Sequence, residues 1–405
     1  MLMKITALVS NGYIKETLMA PFQHIRQYTL FFLTSLCLFN TSFSQENNLN
    51  LEVTQLSEHA YVFTRTWKPS AQRTNMGVVI GENGMVLINA LYRDEEVELF
   101  IKELKRLSDK PVKYIINSNW DEYNTWSNQY FKEKGAVIIS HENLAFHNGY
   151  SADINFSDKF SLNVGTETIT AYRSYGHSFG HINVHLENAN TTFMSDSYRS
   201  EWMTIEGPFG LEGHFKGLDM ALATGNESTK YISGNTRSKI VSSREDLLKE
   251  KQLRSAFAER VLSLKKEDKS VNEILSDVEI VTICKQYELY NDLVVNNEVG
   301  DWIINPIFFD EQAKTHVFST QQLEKYVGNY RMKGRTDIQI LIENGELFAK
   351  SQRQFYLKLV PVSESKFWHN MQNLKDHLTF DLDDNDRVIG LTLIHNGGYL
   401  RYNKQ

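Results

Sequence analysis

The run Val112-Lys113-Tyr114-Ile115-Ile116 is almost continuously apolar, and it opens directly into Asn117-Ser118-Asn119-Trp120-Asp121-Glu122. Such a run is expected as a strand covered on both faces. The loop after it then delivers a row of polar side chains at the end of a buried strand. Its surroundings fit a layered α/β domain. Ala60–Phe63 is a short strand, and Met76–Ile80 and Met85–Ile88 flank the hairpin signal Gly81-Glu82-Asn83-Gly84. Val97, Phe100, Ile101 and Leu104 recur at helical spacing, and Gly135 ends a second helix before the strand Ala136–Ile139. Strands that alternate with helices after an initial β-ribbon predict an α/β layer structure.

The chain has 405 residues, room for two domains, with 41% apolar and 23% charged residues, as in soluble globular proteins. The net charge is −7 and there is no basic stripe, which excludes a nucleic-acid partner. Arg26, the apolar run Tyr28–Phe39 and the small residues around Ser42-Phe43-Ser44 read as a secretory signal over 1–44. The run is 12 residues long, too short to span a bilayer, so no stable membrane span is expected after its removal. A start at Met19 and a buried N-terminal helix are the competing readings. Localisation is then periplasmic or secreted. Cys37 lies in the signal and leaves Cys284 alone, so no intrachain disulfide is expected.

Beyond residue 236 the texture changes. Ser243 with Asp246 and Ser270 with Glu273 are capping boxes that open two helices. From Ser319 the chain is mostly β. Ile338, Ile340 and Ile342 alternate into the turn Asn344-Gly345, and Phe380–Leu382 pairs with Val388–Ile394 across Asp383–Asp386. The expected division is a signal over 1–44, an α/β domain over 45–240, a helical connector over 241–317 and a small β-domain over 318–405.

Six segments, in order, resemble the metallo-β-lactamase superfamily: Asn75-Met76-Gly77 with Leu87-Ile88-Asn89, Lys110–Asp121, Phe131–Ala136, Tyr175-Gly176-His177-Ser178, Phe193-Met194-Ser195-Asp196 and Ser233-Gly234-Asn235. The resemblance implies a four-layer αββα sandwich and two metal sites that acidify a bridging water. The family's H-x-H-x-D-H loop keeps only its aspartate, Asp121. Asn117, Asn119, Glu122 and Asn235 stand at ligand positions. The first site would comprise Asn117, Asn119 and His177 with Asp196 bridging, and carboxamides are poor zinc ligands. The second would comprise Asp121, Glu122, Asp196 and Asn235, an oxygen set suited to Mg²⁺, Mn²⁺ or Ca²⁺ rather than zinc. Asp121, Glu122, His177 and Asp196 are therefore the candidate metal ligands, with Asp121 and His177 the candidate catalytic groups. Zinc is not expected, and at most one divalent cation is. The competing reading gives Asp121 and Asp196 hydrogen bonds to loop amides. Asn124-Thr125 replaces a Gly-Gly pair, and Asn89 replaces a supporting aspartate.

Other signals compete. Gly176-His177-Ser178-Phe179-Gly180 matches the nucleophile elbow of serine hydrolases through Ser178, but an alternating strand follows it where a helix is required. His181 and His185 read as the polar face of an edge strand, and His141 and His147 as surface. Trp120 and Trp202 fall beside the altered site in the aligned order. In the last part, Leu323-x-x-Tyr326-x-Gly328-x-Tyr330, Asn344-Gly345-x-Leu347 and Leu359-x-Pro361 resemble small β-domains appended to β-lactamase-related secreted proteins, which implies a stability or docking module. The expected function is a secreted, non-catalytic binding or regulatory pseudoenzyme, its partner a small molecule or protein. The alternatives are a hydrolase of esters, lactams or sulfate esters using one hard cation, and a serine hydrolase.

Overall fold

Alternation along the strands sorts the apolar side chains onto two faces. In the computed structural model, described for residues 51–67, 72–146, 151–203, 207–287, 303–351, 355–369, 375–395 and 398–405, an antiparallel ribbon opens the fold. Its strands are β1 (Leu51–Gln55), β2 (Ala60–Thr66), β3 (Arg73–Ile80) and β4 (Met85–Ile88). Helix α1 (Asp94–Leu107) leads to β5 (Val112–Ile116). The short helices α2 (Glu122–Thr125) and α3 (Asn128–Glu133) then precede β6 (Val137–His141) and β7 (Ile154–Phe156). Strands β5 to β7 add in parallel to β4. β8 (Lys159–Val164), β9 (Glu167–Arg173), β10 (Ile182–Leu186) and β11 (Thr191–Arg199) form an antiparallel meander. Helix α4 (Gly210–Thr224) returns the chain to β12 (Lys230–Thr236), parallel to β11, with β13 (Val241–Ser242) on its edge.

Pairing runs continuously in the order β7-β6-β5-β4-β3-β12-β11-β10-β9-β8. The join in its middle is thin: β3 and β12 share the pairs Thr74–Asn235 and Arg73–Thr236. The halves on either side pack together. Val86, Ile88, Ile116 and Ile139 of one share a cluster with Ile182, Val184, Leu186 and Phe193 of the other. Their sequence neighbours Met85, Leu87, Ile115 and Ile138 point the opposite way, onto Val97, Phe100 and Leu104 of α1. Beyond the second half, Met194, Tyr198 and Tyr231 meet Leu218, Ala221 and Leu222 of α4. Covered on both faces, these strands bury apolar side chains on each side.

Both capping boxes form, at the starts of α5 (Arg244–Lys266) and α6 (Val271–Leu275). α7 (Val278–Cys284), α8 (Asn305–Thr315) and α9 (Thr320–Leu323) follow. The remaining strands are β14 (Gly328–Arg331), β15 (Ile338–Glu343), β16 (Glu346–Ser351), β17 (Phe355–Pro361), β18 (Lys366–Trp368), β19 (His377–Leu382), β20 (Val388–His395) and β21 (Gly398–Lys404). They close into an eight-stranded barrel where Tyr330 of β14 pairs with Lys404 of β21. Tyr326, Tyr330, Ile340, Phe367 and Phe380 pack its interior.

Two histidine expectations are corrected. β10 lies inside the sheet between β9 and β11, so His181 and His185 are buried and not on an edge. His141 is buried at the end of β6 and not on the surface. The signal expected over 1–44, Cys37 within it, and His147 lie outside the described residues. Cys284 is a buried free thiol. Among the described residues no helix is long and apolar enough to cross a membrane.

Candidate metal centre and its carboxamide cage

The ends of five strands and the loops after them meet beside the β3–β12 join. β5 supplies Asn117 to Asp121, and the turn from β9 to β10 supplies His177. β11 carries Asp196 near its end, β12 carries Asn235, and the residue after β4 is Asn89. Two of these residues, and Ser195 beside Asp196, hold left-handed backbone: Asn89 at φ 69°, His177 at 38° and Ser195 at 47°. Such conformations cost about 1 kcal/mol or more each and persist where the surroundings impose them. Close backbone packing does so here. A Cβ on Gly234 would lie 2.5 Å from the Ser195 carbonyl carbon, and one on Gly207 would lie 2.3 Å from the backbone of His177.

Asp121, His177 and Asp196 each offer one ligand atom within 4.8 Å of the other two. His177 Nε2 lies 2.8 Å from Asp121 Oδ2, which also accepts the Tyr123 hydroxyl at 3.0 Å. Burial disfavours the His177 imidazolium, but Asp121 and Asp196 outweigh burial and raise its pKa. His181, stacked edge-on to His177 at 5.7 Å, is held neutral: burial first, then His177, brings its pKa down to about 4.

Asp196 is the hub. It is buried, and both its oxygens are occupied by neutral donors. Asn119 Nδ2 and Asn124 Nδ2 donate to Oδ2 at 2.7 and 2.9 Å, and the Ser195 hydroxyl donates to it at 3.3 Å. Asn235 Nδ2 donates to Oδ1 at 2.6 Å. A carboxylate offers about four acceptor positions, two on each oxygen, so Oδ2 is fully engaged while Oδ1 keeps one position open. The Asn235 orientation follows from its neighbours: Gln72 and Thr74 donate to its Oδ1 at 2.8 and 3.3 Å, which leaves its N–H for Asp196. Burial opposes the charge on Asp196. His177, Arg199 and the donor Asn119 overcome that opposition and pull its pKa down to about 2.

This donor set does not fit two zinc ions. Asn117 is turned away, donating to the Asn124 carbonyl at 3.1 Å and accepting from Asn128 at 2.7 Å. Asn119 and Asn235 direct N–H groups, not lone pairs, at the carboxylate that would bridge the metals. Among the described residues, Asp121, His177 and Asp196 present ligand atoms that could hold a single divalent cation. Glu122 is a correction. As the first residue of α2 its side chain is exposed, and it stands apart from the three. Asn89 accepts from the Ser118 N–H and hydroxyl, both at 2.9 Å, which ties the β4 end to the loop. Ser178 is buried and is followed by β10, so no strand-to-helix elbow exists around it.

Several members of the cage carry no signal in the sequence. Asn124 stands out there only as a replacement for glycine, and nothing pairs it with a carboxylate 72 positions away. Tyr123, Ser195 and Arg199 are equally silent. Arg199 lies near Asp196 and stacks on Trp202, its guanidinium 5.3 Å from the ring. Trp202 and Trp120 are half-buried.

Residues 312–398 match a family model described as a domain of unknown function (DUF3471). Similar solved structures include a metallo-β-lactamase from Pontibacter korlensis, at 16% identity over 49% of this chain and 95% of that one, with a TM-score of 0.43. The metallo-β-lactamase IND-7 shows 13% identity over 50% and 98%, at 0.44. DIM-1 metallo-β-lactamase shows 16% over 50% and 96%, at 0.41. Likenesses this distant leave the residues of the site to decide what the chain can do.

Proposed function

We infer that this chain carries a metallo-β-lactamase-type domain over 45–240, a four-layer αββα sandwich whose dinuclear centre has given way to a carboxamide cage. A helical connector over 241–317 and a β-domain over 318–405 complete it. It acts as a secreted or periplasmic binding or regulatory pseudoenzyme for a small molecule or protein. The supporting observation is Asp196, the would-be bridging ligand, which accepts from Asn119, Asn124, Ser195 and Asn235. Packing of the two half-sheets on each other, with α1 and α4 outside, supports the layer order.

A second reading has its own support. Asp121, His177 and Asp196 converge closely enough for one hard cation. Bound there, an ion would supply Lewis-acid polarisation of an ester, lactam or sulfate ester. His177, held by Asp121, would carry the proton.

Elemental analysis of the purified protein separates these readings. The pseudoenzyme reading expects no stoichiometric zinc and no hydrolysis of these substrates with added Mn²⁺ or Mg²⁺. Two zinc ions per chain would overturn it. Hydrolysis that appears with Mn²⁺ and vanishes in Asp196→Ala would establish the second reading instead.

A further inference from the structure

The barrel turns an aromatic patch outward, and the patch sits on the loop that carries His177. On β16, Leu347 and Ala349 face the barrel interior, so Phe348 between them faces out. Tyr356 of β17 and Leu341 of β15 join it on the outer surface. Outward aromatics on a small barrel are ordinarily wet, yet Phe348 and Tyr356 are 2% and 8% exposed. What covers them is Phe179, two residues beyond His177. Its ring meets Tyr356 at 4.6 Å and Phe348 at 5.9 Å, both edge-on, and Phe209 just before α4 at 4.9 Å.

The barrel also grips the start of the loop. Glu343 of β15 pairs with Arg173, the last residue of β9, at 3.6 Å, and accepts the Tyr356 hydroxyl. On its other side the loop is closed by the body: Asn143 donates to the Phe179 carbonyl at 3.2 Å, and Gly180 lies hard against Leu144. Its base is sealed by the Ser174 N–H on the His181 carbonyl at 2.8 Å and the His181 N–H on the Ser178 carbonyl at 3.1 Å. The segment from Arg173 to His181 is thus held between the 3₁₀ helix Glu142–Phe146 and the barrel wall.

We propose that the barrel is a positioning element for the site: Phe348, Tyr356 and Glu343 set the place of His177 through Phe179 and Arg173. Barrel docking and occupation of the site are therefore coupled, each favouring the other by the same factor. A partner that draws the patch away loosens His177, and a ligand that fixes His177 tightens the barrel. This role takes the His177 loop as the functional edge inferred above, but its test needs no metal and no ligand.

The test is hydrogen exchange on the whole protein, read by mass spectrometry on peptides covering 174–181, β5 and β19. Phe348→Ala and Tyr356→Ala are expected to speed exchange at the 174–181 amides by about tenfold or more while β5 and β19 hold their protection. Tyr399→Ala, at a barrel position 73% exposed, is the control and leaves all three unchanged. Uniform loss of protection, or unchanged exchange at 174–181, overturns the proposal, because a barrel that merely stabilises the chain produces one of those patterns. Should the alanine variants not fold, Phe348→Leu and Glu343→Gln are judged by the same criterion. A metal-content result that sinks the inferred function leaves this readout untouched, so the two failures are distinguishable.

Discussion

Asn235 donates its side-chain N–H to Asp196 Oδ1 at 2.6 Å while its own oxygen accepts from Gln72 and Thr74. One carboxamide thus links the end of the first β-ribbon to the carboxylate at the centre of the site. A metal ligand in its place would offer a lone pair there. The amide offers a proton, so the contact made there is a hydrogen bond.

If the cage is what Asp196 serves, removing the carboxylate should destabilise the protein. Asp196→Ala leaves the amides of Asn119, Asn124 and Asn235 buried without their acceptor, at a cost of about 3 kcal/mol. Urea unfolding in the presence of EDTA reads this directly. An unchanged midpoint would mean that the carboxylate is kept for an ion.

On the proposed reading, imidazoles placed at the four substituted positions should confer zinc binding. With Asn117→His, Asn119→His, Glu122→His and Asn235→His combined, the chain is expected to retain at least one zinc ion through dialysis, where the parent retains none. Zinc content by mass spectrometry decides it. Failure of a folded variant to bind would show that the backbone, and not only the side chains, has departed from a metal-binding geometry.

Two carboxyl groups give the stability opposite slopes with pH. Burial raises the pKa of Asp310, whose carboxylate accepts the Leu211 N–H at the start of α4, to about 6. Folding favours its protonated form, so its contribution is full below about pH 4 and is lost as pH rises through about 6. Glu201 is the reverse case. Burial opposes its charge, but the Ser238 and Thr236 hydroxyls and the Arg237 and Ser238 N–H groups bring its pKa down to about 2. That contribution is present above about pH 4.3 and is lost as pH falls toward 2. The stability of the parent minus that of Asp310→Asn should fall between about pH 4 and 6, by at most about 1.4 kcal/mol per unit. The same difference for Glu201→Gln should grow between about pH 2 and 4. Slopes of the opposite sign would refute the assignment.

Backbone packing under His177 is testable through Gly207. An added Cβ would meet the His177 carbonyl at 2.3 Å, and backbone atoms cannot turn aside as a side chain can. Gly207→Ala is expected to cost about 2–4 kcal/mol. Gly334→Ala is the comparison: its φ of 78° strains a side chain but nothing lies within 4 Å, so the cost should be about 1 kcal/mol. Equal losses in thermal unfolding would show that φ alone matters at both positions.

Local patterns carried much of this fold on their face. Val86 and Ile88 against Met85 and Leu87 alternate as a strand must. Ser243 with Asp246 and Ser270 with Glu273 mark their helices because the capping partner lies only three residues away. Asn344 and Gly345, at φ 51° and 81°, make the hairpin turn that their backbone freedom suits. Closure of the barrel was not legible, since Tyr330 meets Lys404 across most of the β-region and no local period records such a pairing.

The site divides along the same line. The order of loops and the absence of imidazoles at Asn117, Asn119, Glu122 and Asn235 are properties of the sequence, because which atoms a side chain owns does not depend on where it points. Direction belongs to the tertiary structure. Only there does Glu122 turn to solvent, Asn117 face Asn128, and three carboxamides converge on Asp196 from positions 39 to 77 residues away. A carboxamide is donor and acceptor at once, and only its folded neighbours settle which end meets the carboxylate.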